Sequence, residues 1–209
     1  MQFFKIQHLL VFILSISTVL GQNANDAESS TKANGSPDLQ RSIGSTVFLI
    51  GNIDTEEPPR FFQLNYGYQL NPKSVLIVEA ITWAYYGPLG IQWGETGESY
   101  PGKIIGYGVG AGIQHFFRQN LYFTVQATPF LQQFIDEEDK KIQNGFQLWT
   151  QLRFGYRHTF SNQRLFIEPS AVINYWPINT NFPADFQEIE DDWPNYFLFE
   201  PGLHFGYKF

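Results

Sequence analysis

The chain has 209 residues, a formal net charge of −7 and no cysteine; 18% of its residues are aromatic and only 16% are charged. The missing cysteines exclude a disulfide framework and a thiolate metal site, and the excess of acid argues against a nucleic-acid partner. A charged share this far below the usual value of about 25% fits a chain with much of its surface out of water.

At the N-terminus Lys5 precedes an apolar run over 9–20, and Val19 and Gly21 are the small residues before Gln22. That is the layout of a secretory signal peptide over 1–21. The run is shorter than the roughly 20 residues a membrane-spanning helix needs. Residues 22–42 are polar and contain no aromatic side chain. They cannot bury enough apolar surface to order themselves and are read as a flexible leader. No later segment is apolar enough for a transmembrane helix, so any membrane crossing is made by strands.

From residue 43 onward the pattern has a period of two. The stretches 45–53, 62–70, 74–86, 104–117, 121–134, 145–160, 164–176 and 200–209 read as eight strands. In the second, Phe62, Leu64, Tyr66, Tyr68 and Leu70 share one face against Gln63, Asn65, Gly67 and Gln69. In the fourth, Ile105, Tyr107, Val109, Ala111 and Ile113 stand opposite Gly106, Gly108, Gly110 and Gly112. Four glycines on one face make room for bulky groups from opposite strands of a narrow barrel. Their strict alternation, with no helix pattern behind it, argues against a phosphate-binding loop.

The last strand alternates Leu203, Phe205, Tyr207 and Phe209 with Gly202, His204, Gly206 and Lys208. An exposed apolar row on a terminal strand is a liability in water and a requirement in lipid. Three-residue turns at 71–73, 118–120 and 161–163 alternate with long polar loops at 87–103, 135–144 and 177–195. The expected fold is therefore all-β, an eight-stranded antiparallel up-and-down transmembrane β-barrel over 43–209. Alternation alone leaves open which face points inward, so a soluble lipocalin-like barrel with an apolar interior is the competing arrangement. Pro129, Pro169 and Pro201 fall within strands, where each removes a ladder donor, and are expected to mark bulges near the loop side.

The closing strand resembles that of Gram-negative outer-membrane barrels. Residues 45–209 resemble small eight-stranded barrel proteins of the Bacteroidota type, which share YPGK (100–103), ATPFLQQF (127–134) and NYWP (174–177). The resemblance implies an outer-membrane location, with outer-membrane lipid and lipopolysaccharide around the strands. It also implies a barrel-assembly machinery that reads Leu203, Phe205, Tyr207 and Phe209. It implies no activity and no cofactor.

An eight-stranded barrel is just wide enough for side chains to fill it, so its lumen is expected to be a largely filled polar core. The inward set includes Glu79, Arg153, Arg157, Glu168 and Glu200, together with His204 and Lys208. Confined charges must pair or become neutral, and strand parity across the turn at 161–163 sets Arg157 directly or diagonally opposite Glu168. A carboxylate–guanidinium network is the expected outcome. Paired acids for general acid–base work are the alternative, and they need a substrate-sized cavity.

His158 with Ser161 and Asn162 resembles the histidine–serine pattern of outer-membrane lipid A deacylases, which would imply a nucleophilic hydrolase. The spacing of three instead of two, and the turn position of Ser161, depart from that pattern. No metal site is expected. The acidic stretches 136–139 and 185–192 read as solvated loop charge, with divalent cations bridging lipopolysaccharide phosphates as the alternative. The loop aromatics Tyr100, Phe182, Phe186 and Trp193 suggest a surface for a partner or glycan, or a headgroup belt shared with Trp83, Tyr85, Tyr86 and Trp176. The function expected is non-enzymatic: a structural or adhesive envelope protein, or an accessory to a larger complex. A lipid A-modifying hydrolase, and a narrow channel or conduit for a small apolar ligand, are the alternatives.

Overall fold

The computed structural model describes residues 39–53, 58–90, 97–193 and 196–209, with the side chains of Ser161 and Asn162 left aside. The expected signal peptide over 1–21, and the leader as far as residue 38, lie outside the described residues. Among those described, no helix is long and apolar enough to cross a membrane, which says nothing about strands.

The period-two stretches form strands that pair with their sequence neighbours. These are β1 (Arg41–Thr46), β2 (Phe62–Asn71), β3 (Ser74–Tyr85), β4 (Lys103–Arg118), β5 (Leu121–Ile135) and β6 (Lys141–Tyr156). β7 (His158–Thr159) continues β6 beyond Arg157; β8 (Leu165–Thr180) and β9 (Phe197–Lys208) follow. β6 and β7 both pair with β8, β8 pairs with β9, and β9 returns to β1. All pairings are antiparallel, so a single sheet closes into a ring of eight strand positions. The closing seam runs from Ser42 opposite Lys208 to Thr46 opposite His204. Phe209 and Arg41 complete it with two backbone hydrogen bonds, at 2.8 and 3.2 Å.

Alternation then sorts the side chains by face. The outer face is apolar and open: Val109 is 67% exposed and Phe199 64%. The inner face is closed, with Gln114, Thr124 and Gln132 fully buried. An apolar interior with a polar outside is thereby overturned, because the open face is the apolar one, while the enclosed face mixes polar groups with apolar ones such as Val75, Ile77, Phe130 and Val172.

Several elements differ from the sequence reading, each for a local reason. The first strand lies at Arg41–Thr46, so its first two residues fall in the stretch read as leader. Val47–Ile53 is a 3-10 turn instead of a strand; its run of consecutive apolar residues has no period of two to present to a sheet. β6 begins at Lys141 and β8 extends to Thr180, which shortens the loops on either side. Ser161–Arg164 forms a single helical turn, and a helix, Ala184–Asp192, occupies the last long loop.

The in-strand prolines do not make bulges. Pro129 pairs in register with Leu148, Pro169 with Leu203 and Pro201 with Ala171. The ladder is broken between Gly155–Ser170 and His158–Ile167, the gap that contains Pro169, which has no N–H to donate there. The β4 glycines make room for the adjacent strand, not for opposite ones. A Cβ on Gly108 would meet Thr128 at 2.8 Å and Phe130 at 2.9 Å, both on β5.

Candidate functional site

Near the short turns the interior is filled. Arg157 Nε donates to Glu168 Oε1 at 2.6 Å, and its Nη2 donates to Gln114 Oε1 at 2.8 Å. Gln114 Nε2 closes the triangle by donating to the same Glu168 oxygen at 3.0 Å. The guanidinium also lies over the rings of Phe166 and Phe116, at 4.3 and 4.9 Å. The space left in this layer is only about 30 Å³. Directly above, Arg153 Nη1 meets His204 Nε2 at 2.6 Å. Arginine is only a donor, so this imidazole accepts at Nε2 and carries its proton on Nδ1.

The expected charge network is therefore not continuous. Arg157 and Glu168 form the one buried ion pair among the described residues. Glu79 is held by neutral donors, Gln63 Nε2 at 2.5 Å and Thr128 Oγ1 at 2.9 Å. Glu200 accepts from Asn174 Nδ2 at 2.9 Å. Asn174 in turn accepts from Gln151 Nε2 at 3.0 Å and from the Trp149 indole at 3.2 Å. Arg153 has its histidine, not a carboxylate.

Towards the long loops the interior opens into a cavity of about 300 Å³. Both unpaired carboxylates, Glu79 and Glu200, line it, and His204 lies among its walls. The remaining walls combine five aromatic rings, of Phe48, Phe61, Trp83, Phe130 and Trp149, with amides and small or aliphatic residues. Trp83 and Trp149 meet edge to face at 5.5 Å, and Phe61 packs on Trp83 at 6.3 Å. Behind Trp149, the ring of Trp176 stacks at 4.9 Å and 3°. Phe48 and Gly51 of the 3-10 turn lie among the walls as well. The expectation of a filled lumen thus fails in this half. Trp83, Tyr85 and Trp176 face the interior and do not belong to a headgroup belt; Trp176 is 1% exposed.

Above the ring, the helix Ala184–Asp192 buries Phe186 against Tyr100, Phe134, Ile104 and Tyr85. Tyr100 and Phe186 stack at 5.0 Å, and Phe182 packs on Phe134 at 4.9 Å. Three of the four loop aromatics are therefore the core of the loop cap, not an exposed contact surface. The Tyr100 hydroxyl donates to Glu190 Oε2 at 2.5 Å inside this core. Burial pushes the Glu190 carboxyl above its ordinary value of 4.5; the Tyr100 hydrogen bond opposes this and the charge of Asp191 adds to it. Burial, then the Glu190 charge, pushes the Tyr100 hydroxyl up as well.

A raised carboxyl binds its proton more tightly in the folded state than in the unfolded one. Its contribution to stability is complete below the ordinary carboxylate range and is lost as pH rises through the raised value. Glu190→Gln should therefore raise the thermal midpoint at neutral pH and leave it unchanged near pH 4. Melting curves of the two proteins that stay parallel across this range would contradict the assignment.

Matched against protein families, curated proteins and solved structures, the chain finds no counterpart.

His158 stands on the outward face, its ring edge-on to Phe160 at 4.5 Å. The side chain of Ser161 lies outside the described residues. No group of three or more histidine and acidic side chains suited to a metal occurs among the described residues. Within the acidic stretches, Asp136 caps its own loop by accepting from the N–H groups of Glu138 and Lys140, and Asp139 pairs with Lys103. Of the closing-strand residues, Leu203, Phe205, Tyr207 and Phe209 are all exposed on the outer face.

The residues missed in the sequence are the neutral amides and the tryptophans of the cavity. Their signal was present: Trp149 and Gln151 share strand parity with Arg153 and Arg157, Asn174 shares it with Glu168, and Gln63 and Gln126 stand opposite the apolar rows of their strands. Parity does not tell which of them meet across the ring.

Proposed function

We propose that this chain is an integral β-barrel of a Gram-negative outer membrane, closed to flow, serving the envelope as a structural, adhesive or accessory protein. The observation that carries this reading is the apolar outer face that continues around the ring. Tyr66 and Val78, Tyr107 and Leu131, Phe146 and Phe154, then Ile173 and Phe205 expose apolar surface on successive strands. A soluble protein rarely leaves so much contiguous apolar area open to water. A lipid bilayer needs that surface, and it needs the backbone pairing completed without a free edge, as β1 and β9 complete it. The alternation of tight turns with longer loops supports the same reading. The layer of Arg157, Glu168 and Gln114 leaves only about 30 Å³ of space, which favours a plugged barrel over a channel.

The test is heat-modifiability of outer membranes from a Gram-negative host that expresses the chain. A folded barrel should resist detergent and migrate differently before and after boiling. Deleting Phe209 removes both backbone bonds to Arg41 and one aromatic of the closing strand, and should abolish most of the shifted band. A soluble product with no shift would overturn the proposal.

A further inference from the structure

We propose that the loop-side cavity is a binding site for a small organic cation, an ammonium group carried on an aromatic or short apolar body. Two carboxylates line it, and among the described residues neither has an ion-pair partner. Glu79 is 4% exposed and its contacts are to a neutral amide and a hydroxyl. Burying an anion without a cation is unfavourable, and either protonation or a bound cation relieves it. Neither interior arginine lines the cavity: Arg157 is held in the filled layer beneath, and Arg153 is bonded to the wall residue His204.

The rest of the wall suits the same ligand. Trp83, Trp149, Phe61 and Phe130 present aromatic surface to the space, and the faces of such rings attract cations. An ammonium carries three donors and no acceptor. Gln151 Oε1 is a buried acceptor without a protein partner, and it joins the two carboxylates as a third acceptor on this wall. The volume of about 300 Å³ is at the small end of ligand sites and limits the occupant to a compact molecule. Two unpartnered donors, the indole N–H of Trp83 and Nδ1 of His204, leave room for a hydroxyl or carbonyl on the same ligand.

The inference depends on the interior of the ring and not on what surrounds it. The folded full-length protein in detergent micelles, its fold checked by the heat shift, is titrated with three probes of one shape. These are 2-phenylethylammonium, 2-phenylethanol and 3-phenylpropanoate. Calorimetry is the readout, with tryptophan fluorescence reporting on Trp83 and Trp149. Saturable one-to-one binding of the ammonium, at least about tenfold tighter than the alcohol, is expected, with the carboxylate weakest. Glu200→Gln should weaken the ammonium about tenfold and leave the alcohol unchanged. Glu200 is half-buried with a single hydrogen bond, so this variant should fold even if Glu79→Gln does not. Equal binding of the ammonium and the alcohol, preference for the carboxylate, or no binding by a heat-shifted protein would each overturn the proposal. A protein without a heat shift would instead count against the membrane barrel.

Discussion

Replacing Arg157 by alanine is expected to destabilise the folded protein by about 3–5 kcal/mol, the usual result of removing one partner of a buried ion pair. The guanidinium satisfies Glu168 at 2.6 Å and Gln114 at 2.8 Å, and it fills the space between the rings of Phe116 and Phe166. Its loss leaves a carboxylate that is only 3% exposed with one neutral amide for company. The loss is therefore an unpaired charge in a confined interior more than a missing attraction. Arg157→Met combined with Glu168→Leu removes both charges and keeps the volume. That pair should recover most of the stability, because desolvation largely offsets the attraction of a buried pair. Urea titration of the single and double variants in one detergent decides it. A double variant as unstable as Arg157→Ala would mean that the polar layer is needed for its hydrogen bonds and not merely for charge balance.

The second large effect is expected at Gly110. A Cβ there would overlap Thr128 Oγ1 and lie 2.8 Å from the carbonyl oxygen of Ala127. The carbonyl belongs to the β4–β5 ladder and cannot step aside, so the strands must separate or Thr128 must leave its rotamer. If Thr128 moves, Glu79 loses the hydroxyl that donates to it at 2.9 Å. Overpacking of this kind typically costs about 1–3 kcal/mol, and the lost hydrogen bond to a buried acid adds a similar amount. Gly106→Ala is the comparison. Its nearest contact is a side-chain carbon of Phe130 at 3.0 Å, which can rotate by the few tenths of an ångström required. Gly110→Ala should therefore be clearly the less stable of the two, and the ammonium affinity of the cavity should fall in it alone. Equal stability of the two variants would contradict the role given to Thr128.

These two sites differ in how far they could be read from the chain. A strand of period two has only two faces, so parity assigns every residue of Phe62–Asn71 or Lys103–Arg118 to one of them. A tight turn narrows the register across it, which is why Arg157 directly or diagonally opposite Glu168 followed from counting. The pairs on either side, Gly155 with Ser170 and His158 with Ile167, set the register. The same counting failed at the first strand. Four consecutive apolar residues, Val47 to Ile50, have no period, and only pairing with Tyr68 on one side and Lys208 on the other sets β1 at Arg41–Thr46.

Face assignment has a further limit, because alternation is symmetric. Nothing in the period tells inside from outside; closure of β9 on β1 decides that, by enclosing Gln63, Glu79 and Arg153 and leaving Tyr107 and Phe199 open. The cavity was further still from reach. Glu79, Trp149 and Glu200 lie on β3, β6 and β9, none of which pairs with another, and they meet only because the ring brings distant strands together across its axis. The loop cap follows the same rule: Tyr100 and Glu190 are 90 residues apart and are joined by a helix that packs on the mouth of the ring. Local spacing determined the strands, their faces and the neighbouring pairs, since these depend on backbone geometry within a few residues. What the interior holds, and the space it leaves, was decided by contacts that exist only after the sheet has closed.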